Sequence, residues 1–196
     1  MMKRVFTLAL VALALTACKK EEDDAIELDE IVYRQVNGSF KYTLPLNLDV
    51  NNDGQDDFTF GNVLVSDAAG AHNLFYIRPL EYNQVLLNLQ EEVSLGHWVE
   101  ALRADEAVEE DLAKKQQWGR DPGFVLDLRQ TVKSEVFYEG PLTESNTLFV
   151  GVRLMEDEKY KTGWVRLNYT VGSDEVEVND VAFRLTPNRP LKAGQQ

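Results

Sequence analysis

The chain has 196 residues, with 20 basic against 33 acidic side chains and a formal net charge of −13. That acid excess argues against nucleic acid and against electrostatic attachment to an anionic membrane surface, since both would be repelled. A lone cysteine excludes a disulfide framework, so a folded domain must rest on a hydrophobic core or a bound ion.

The N-terminus reads MMKRVFTLALVALALTACKKEEDD. Lys3 and Arg4 precede an apolar run over 5–15 that is broken only by Thr7. As a helix that run would span about 16 Å at roughly 1.5 Å per residue, whereas a bilayer crossing needs about 20 residues. Small residues then lead to Cys18, which is the pattern of a cleaved export signal over 1–17. Leu15-Thr16-Ala17-Cys18 resembles the lipobox of bacterial lipoproteins. The resemblance implies cleavage before Cys18, diacylation of its thiol and acylation of the new amino group. Attachment would be firm, because each buried CH₂ contributes about 0.8 kcal/mol. Removing 1–17 takes away Lys3 and Arg4 and no acid, which leaves a mature charge of −15.

Residues 18–30 continue as a charged stretch poor in apolar side chains, read as a lipidated acidic tether. Extended, it reaches roughly 40 Å. Its Lys19-Lys20-Glu21-Glu22-Asp23-Asp24 run resembles the surface-export signal of Bacteroidetes lipoproteins, with a generic solvated linker as the alternative. Lys19 rather than an aspartate after the cysteine implies, by analogy with enterobacterial sorting, the outer membrane.

Residues 31–196 are enough for one sizeable domain. Strand signals are dense from Ile31 onward, with period-2 alternation over 40–44 and 44–50. Further strands are expected near 57–60, 74–78, 85–89, 124–128, 134–138, 147–154, 163–171 and 175–185. Asn37-Gly38, Asp53-Gly54, Asp121-Pro122-Gly123, Gly140-Pro141 and Gly172-Ser173 supply turn punctuation. Pro45 inside a strand pattern points to an edge or a bulge. The expected fold is all-β, an antiparallel β-sandwich with one short inserted helix. That helix is expected over 102–117 (LRADEAVEEDLAKKQQ), which is rich in helix formers and sets Val108 and Leu112 four apart.

Chemistry concentrates in one motif. Asp49-Val50-Asn51-Asn52-Asp53-Gly54-Gln55-Asp56-Asp57 fits D-x-N-x-D-G-x-x-D. Alternate side chains of a tight loop turn inward, so Asp49, Asn51 and Asp53 can share one centre. Gly54 permits a positive φ, the Gln55 carbonyl can follow, and Asp57 can close the site. Hard oxygen donors without His or Cys favour Ca²⁺, at about 2.3–2.6 Å, over transition metals. The loop matches the first nine positions of an EF-hand loop and departs at the twelfth, where Phe60 stands in place of a bidentate Glu. Its flanks read as strands, which puts it nearer to strand-flanked calcium loops, with Asp56 facing solvent. A metal-free hairpin is the alternative, but it gives no reason for acids at both Asp49 and Asp57.

Other candidates carry less. His72 and His97 have no metal-ligand partners at local spacing and read as ordinary residues. No nucleophile elbow or phosphate loop is present, and no cysteine beyond Cys18. Glu91, Glu92, Glu100, Glu109, Glu110 and Asp111 could hold a glycosidase pair only if two acids converged about 5–9.5 Å apart. Trp98, Trp118 and Trp164, with Tyr33, Tyr76, Tyr138 and Tyr160, offer stacking surface for sugars but are more often packing residues. Trp118, in a loop-like stretch after the expected helix, is expected to be buried beneath it.

The LDVNNDGQDDFTF segment over 48–60 resembles the hairpin of secreted and lipid-anchored bacterial proteins, many from Bacteroidetes. The ending is similar as well: Phe149-Val150-Gly151-Val152-Arg153-Leu154, the strand over 160–167, Ala182-Phe183 and the run over 190–195. This resemblance covers about half of the mature chain. It implies a secreted β-sandwich with a calcium loop and no particular activity. Gly163-Trp164 reads as a bulge followed by a core aromatic, and Arg153 and Arg166 as partners for acids on a sheet face. The expected role is a non-catalytic binding module of the outer membrane, with a glycan or an envelope protein as partner. A purely structural envelope component and a glycan hydrolase are the alternatives. An exposed aromatic row on one sheet face would favour the glycan.

Overall fold

The computed structural model describes residues 30–196; the expected export signal over 1–17, Cys18 and the tether up to residue 29 lie outside the described residues. Alternation of apolar and polar side chains produces long, half-buried strands. In chain order these are β1 (Ile31–Lys41), β2 (Leu46–Leu48), β3 (Phe58–Asp67), β4 (Gly70–Pro79), β5 (Gln84–Val93) and β6 (Gly96–Val99). Short pieces β7 (Ala101–Leu102), β8 (Ala107–Val108) and β9 (Gln116–Gly119) follow, then β10 (Gly123–Gln130) and β11 (Val136–Glu139). A four-residue helix, α1 (Pro141–Glu144), precedes β12 (Thr147–Glu156), β13 (Lys159–Asn168), β14 (Glu175–Arg184) and β15 (Leu191–Lys192).

One sheet runs β1-β14-β13-β12-β5-β6-β10-β4-β3-β2, with β7, β9 and β11 attached at its side. Its pairings are antiparallel except β6 with β10. The sheet curls until its two edges meet. Phe40 of β1 packs on Phe60 of β3 and Phe75 of β4, with ring centroids 5.6 and 5.9 Å apart. The enclosed face carries the main core, from Phe58 and Ile77 through Val150 and Leu154 to Val178 and Phe183. The outer face of β12–β14 carries a second, smaller core of Leu86, Leu102, Val108, Trp118, Phe149, Trp164 and Leu191. Alternation on β13 feeds both: Trp164 faces outward into the small core and Val165 inward into the large one.

The helix expected over 102–117 does not form. That segment holds β7, β8, a 3₁₀ turn over Leu112–Lys114 and the start of β9. The pair read as one helical face is split, with Val108 buried at 1% exposure and Leu112 exposed at 73%. Leu102 pairs with Phe149, Val108 pairs with Leu191, and Trp118 pairs with Leu86. Covering the apolar outer face of the sheet takes an extended chain, and that gain outweighs helix propensities of a few tenths of a kcal/mol per residue. Trp118 is buried, as expected, but beneath the Arg153 guanidinium, 4.2 Å from the ring centroid, rather than beneath a helix.

Two turn readings also change. Asn37-Gly38 lies inside β1 as a bulge, with Asn37 at φ 51° and the register shifting between Gln35 and Gly38. Gly163 is not a bulge; the shift on β13 falls between Arg166 and Leu167. Gly163 instead allows close approach, since a Cβ there would lie 2.6 Å from the Ala182 carbonyl oxygen. Pro45 stands just before β2, which is an edge strand, and Arg166 pairs with the buried Asp180.

Candidate metal centre

The 49–57 loop joins β2 to β3, whose register Leu48↔Phe58 closes its base. The Asp57 N–H donates to the Leu48 carbonyl at 2.8 Å. Within the loop, carboxylates satisfy backbone N–H groups. Asp49 accepts from Asn52 N–H at 2.6 Å and from Gly54 N–H at 2.9 Å. Asn51 Oδ1 accepts from Asp53 N–H at 3.1 Å, and Asp53 Oδ1 from Gln55 N–H at 2.8 Å. Asn52 at φ 60° and Gly54 at φ 90° make the turn, and Gly54 has open space where a Cβ would point.

Asp57 turns inward and is 8% exposed. Its Oδ2 accepts from Val50 N–H at 2.7 Å and its Oδ1 from the Asn83 amide at 3.0 Å. Asn83 in turn accepts from Met155 N–H at 2.8 Å, which ties the loop to β12. Burial pushes the Asp57 carboxyl above its ordinary value; Val50 and Asn83 oppose this, and the charges of Asp53 and Asp49 push it further. The Asn51 amide also donates to Glu156 at 2.8 Å, and Glu156 is paired with Lys161. Burial raises the Glu156 carboxyl, but Lys161 and Asn51 outweigh it and hold it low.

A cavity of about 160 Å³ opens beneath the loop, lined by Asn51, Asp53, Gln55, Asp57, Glu81 and Asn83 among others. Four of the five expected donors therefore share one small space. Asp49 is not on its wall and braces the turn instead, while Asp56, exposed as expected, sits at its rim. Among the described residues no three of His, Cys, Asp or Glu stand in a ready-made ligand set. The donor chemistry nonetheless fits a hard cation: every polar wall group named carries an oxygen, and a buried carboxylate faces two other acids. Asn51, Asp53, Asp57 and the Gln55 carbonyl are the groups that would hold Ca²⁺, which would supply the positive charge those carboxylates lack. Glu81 and Asn83 carried no signal in the sequence. They come from the β4–β5 connection, and only the fold brings them under the hairpin.

His72 is not the ordinary residue its sequence context suggested. It is buried, with Nδ1 2.7 Å from Asp127 Oδ2 and Nε2 3.2 Å from Asp67 Oδ1. The Asp127 bond raises its pKa above the usual value against the effect of burial, and Asp67 adds to the rise. Exposed aromatics are scattered: Tyr82 lies in the β4–β5 connection, Tyr42 after β1 and Phe137 on β11. They form no row on one sheet face. Comparison with protein-family models, curated proteins and solved structures gives no match, so the reading of this site rests on its own geometry.

Proposed function

We propose that the protein is an outer-membrane lipoprotein, anchored through Cys18, whose β-sandwich is a non-catalytic binding module stabilised by Ca²⁺ in the 49–57 hairpin. The observation that carries this reading is the polarity of the molecule. The described chain enters at Ile31, opposite Arg184, the end where the β12–β13 turn and the 49–57 loop meet through Glu156 and Asn51. The turns after β1, β10 and β13 and the start of β11 lie at the other end and expose Tyr42, Leu44, Val132 and Val171 in the turns and Val136 and Phe137 on the strand. Exposed apolar side chains that gather at one end of a molecule can serve as a contact surface. A tether at one end would direct this rim away from the bilayer, toward a glycan or an envelope protein.

Thermal unfolding of the mature chain carrying Cys18→Ser tests the metal part. Extracellular calcium sites bind at about 10⁻⁴–10⁻³ M, and ligand at 100 times its dissociation constant adds about 2.7 kcal/mol. For a domain of this size that is a rise of roughly 5–10 °C in melting temperature. The rise is expected with Ca²⁺ after EDTA treatment, not with Mg²⁺, and not in Asp53→Ala. An unchanged melting temperature would reduce 49–57 to a metal-free hairpin. Val136→Ser with Phe137→Ser should lower binding of the calcium-loaded chain to purified cell-wall glycan or outer-membrane fragments with melting unchanged. Equal binding would remove the rim from the proposal.

A further inference from the structure

The 49–57 hairpin by itself does not complete a calcium shell. Of its residues, Asn51, Asp53, Gln55 and Asp57 line the cavity as expected donors. One oxygen from each leaves the shell two short of the roughly six to eight that Ca²⁺ takes. Both Asp57 oxygens already accept a protein hydrogen bond, which fixes that carboxylate in place. Phe60, at the position where an EF-hand loop carries a bidentate Glu, is fully buried in the main core. The missing oxygens have to come from outside the motif.

The β4–β5 connection meets the same cavity with Glu81, Tyr82 and Asn83. Asp57 holds both ends of that turn. Leu80 N–H donates to the Asp57 carbonyl at 2.9 Å, and the Asn83 amide donates to that carbonyl at 3.2 Å and to Asp57 Oδ1 at 3.0 Å. Asn83 N–H closes the turn on the Leu80 carbonyl at 3.0 Å. Glu81 stands between these two anchors at φ 50°, a left-handed conformation that a non-glycine residue adopts where its surroundings impose it. Other oxygens of the connection are engaged. Asn83 Oδ1 accepts from Met155 N–H at 2.8 Å, the Tyr82 carbonyl from the Tyr160 hydroxyl at 3.4 Å, and the Glu81 carbonyl from the Arg120 guanidinium at 2.5 Å. The Glu81 carboxylate makes no ion pair among the described residues. Asp56 also reaches the cavity, but it precedes the inward-turned Asp57, and successive side chains of an extended chain point opposite ways.

We propose that Glu81 is the closing, bidentate ligand of the hairpin's calcium site and sets its preference for Ca²⁺ over Mg²⁺. The inference rests on the calcium reading above and adds a residue that the motif does not contain. Two oxygens from Glu81 bring the count to about six without Asp56. Asp57 is fixed, so convergence of the donors falls to Glu81, whose exposed side chain turns on three torsions. A carboxylate that binds through both oxygens has a narrow bite. Ca²⁺ accepts it at about 2.3–2.6 Å, whereas Mg²⁺ demands octahedral angles at about 2.0–2.1 Å and retains several waters. A site closed in this way joins the β2–β3 hairpin to the β4–β5 connection.

Calorimetric titration of the EDTA-stripped mature chain (Cys18→Ser) with Ca²⁺, and separately with Mg²⁺, tests the assignment. Glu81→Gln keeps the side chain's shape and is expected to weaken Ca²⁺ binding about tenfold or more, and Mg²⁺ binding less. Asp56→Asn should leave both affinities unchanged. In EDTA the melting temperatures of wild type and Glu81→Gln should agree, because an exposed carboxylate without a protein partner adds little to the metal-free fold. The proposal is overturned if Glu81→Gln binds Ca²⁺ as the wild type does, or if the two metal affinities fall by the same factor. It is also overturned if Asp56→Asn takes the loss instead, or if Glu81→Gln melts lower in EDTA, which makes the loss structural. Each of these results leaves Ca²⁺ binding by the hairpin standing. A wild-type chain that binds no Ca²⁺ removes that reading and Glu81's role together.

Discussion

Asp57 and Asp53 sit four residues apart in one hairpin yet do different work. Asp57 carries two protein hydrogen bonds, to Val50 N–H and the Asn83 amide, whereas Asp53 serves only its own exposed loop. Asp57→Ala should therefore lower stability by about 1–3 kcal/mol even in EDTA, because it strands two buried donors. Asp53→Ala should remove only the calcium increment, and urea unfolding with and without Ca²⁺ reads both. His72 gives a pH prediction. Its folded pKa is raised above the unfolded value of about 6.5 by Asp127 and then Asp67. The stability it contributes is fully present below about pH 6.5 and is lost as pH rises through the raised value. A His72→Asn variant should lose that part of the pH dependence, and the wild-type imidazole NMR resonance should titrate above pH 6.5. A midpoint below 6.5 would contradict the Asp67–His72–Asp127 bridge.

The segment over 101–119 shows how an element can defy its composition. Its Ala, Glu, Lys and Leu content reads as helix, but the sheet beneath it presents Trp164, Phe149 and Leu86, which need covering. Gly151 records how tight that cover is, since a Cβ there would lie 2.7 Å from Val108 Cγ1. Val108→Ala should cost about 1–3 kcal/mol. Leu112→Ala should stay within about 0.5 kcal/mol, as an exposed side chain does. An amphipathic helix would make the two losses alike, so the ratio of denaturation midpoints separates the arrangements. The β2–β3 hairpin is the opposite case. Its motif, its glycine and its flanking strands were all legible locally, because a nine-residue loop is set by contacts between near neighbours.

Across the whole molecule, closure of the curled sheet depends on few contacts, among them Phe40 against Phe60 and Phe75. Phe40→Ala should cost about 3–5 kcal/mol and lower the urea midpoint, since among the described residues the seam has no backbone ladder beyond the isolated Lys41–Leu44 bridge to hold it. The cavity beneath the 49–57 hairpin also exists only at this scale, because the hairpin, the β4–β5 connection and β12 each supply part of it. The sequence by itself determined the all-β class, most strand positions and the turn chemistry of the 49–57 hairpin. All of these follow from period-2 alternation and short-range spacing. Only the tertiary structure decided that 101–119 lies extended over an outer core, and that Glu81 and Asn83 stand beneath the hairpin. It alone buried His72 between two aspartates. Those outcomes depend on which strands become neighbours. That is fixed by the burial of two sheet faces across large sequence separations, and it leaves no local trace along the chain.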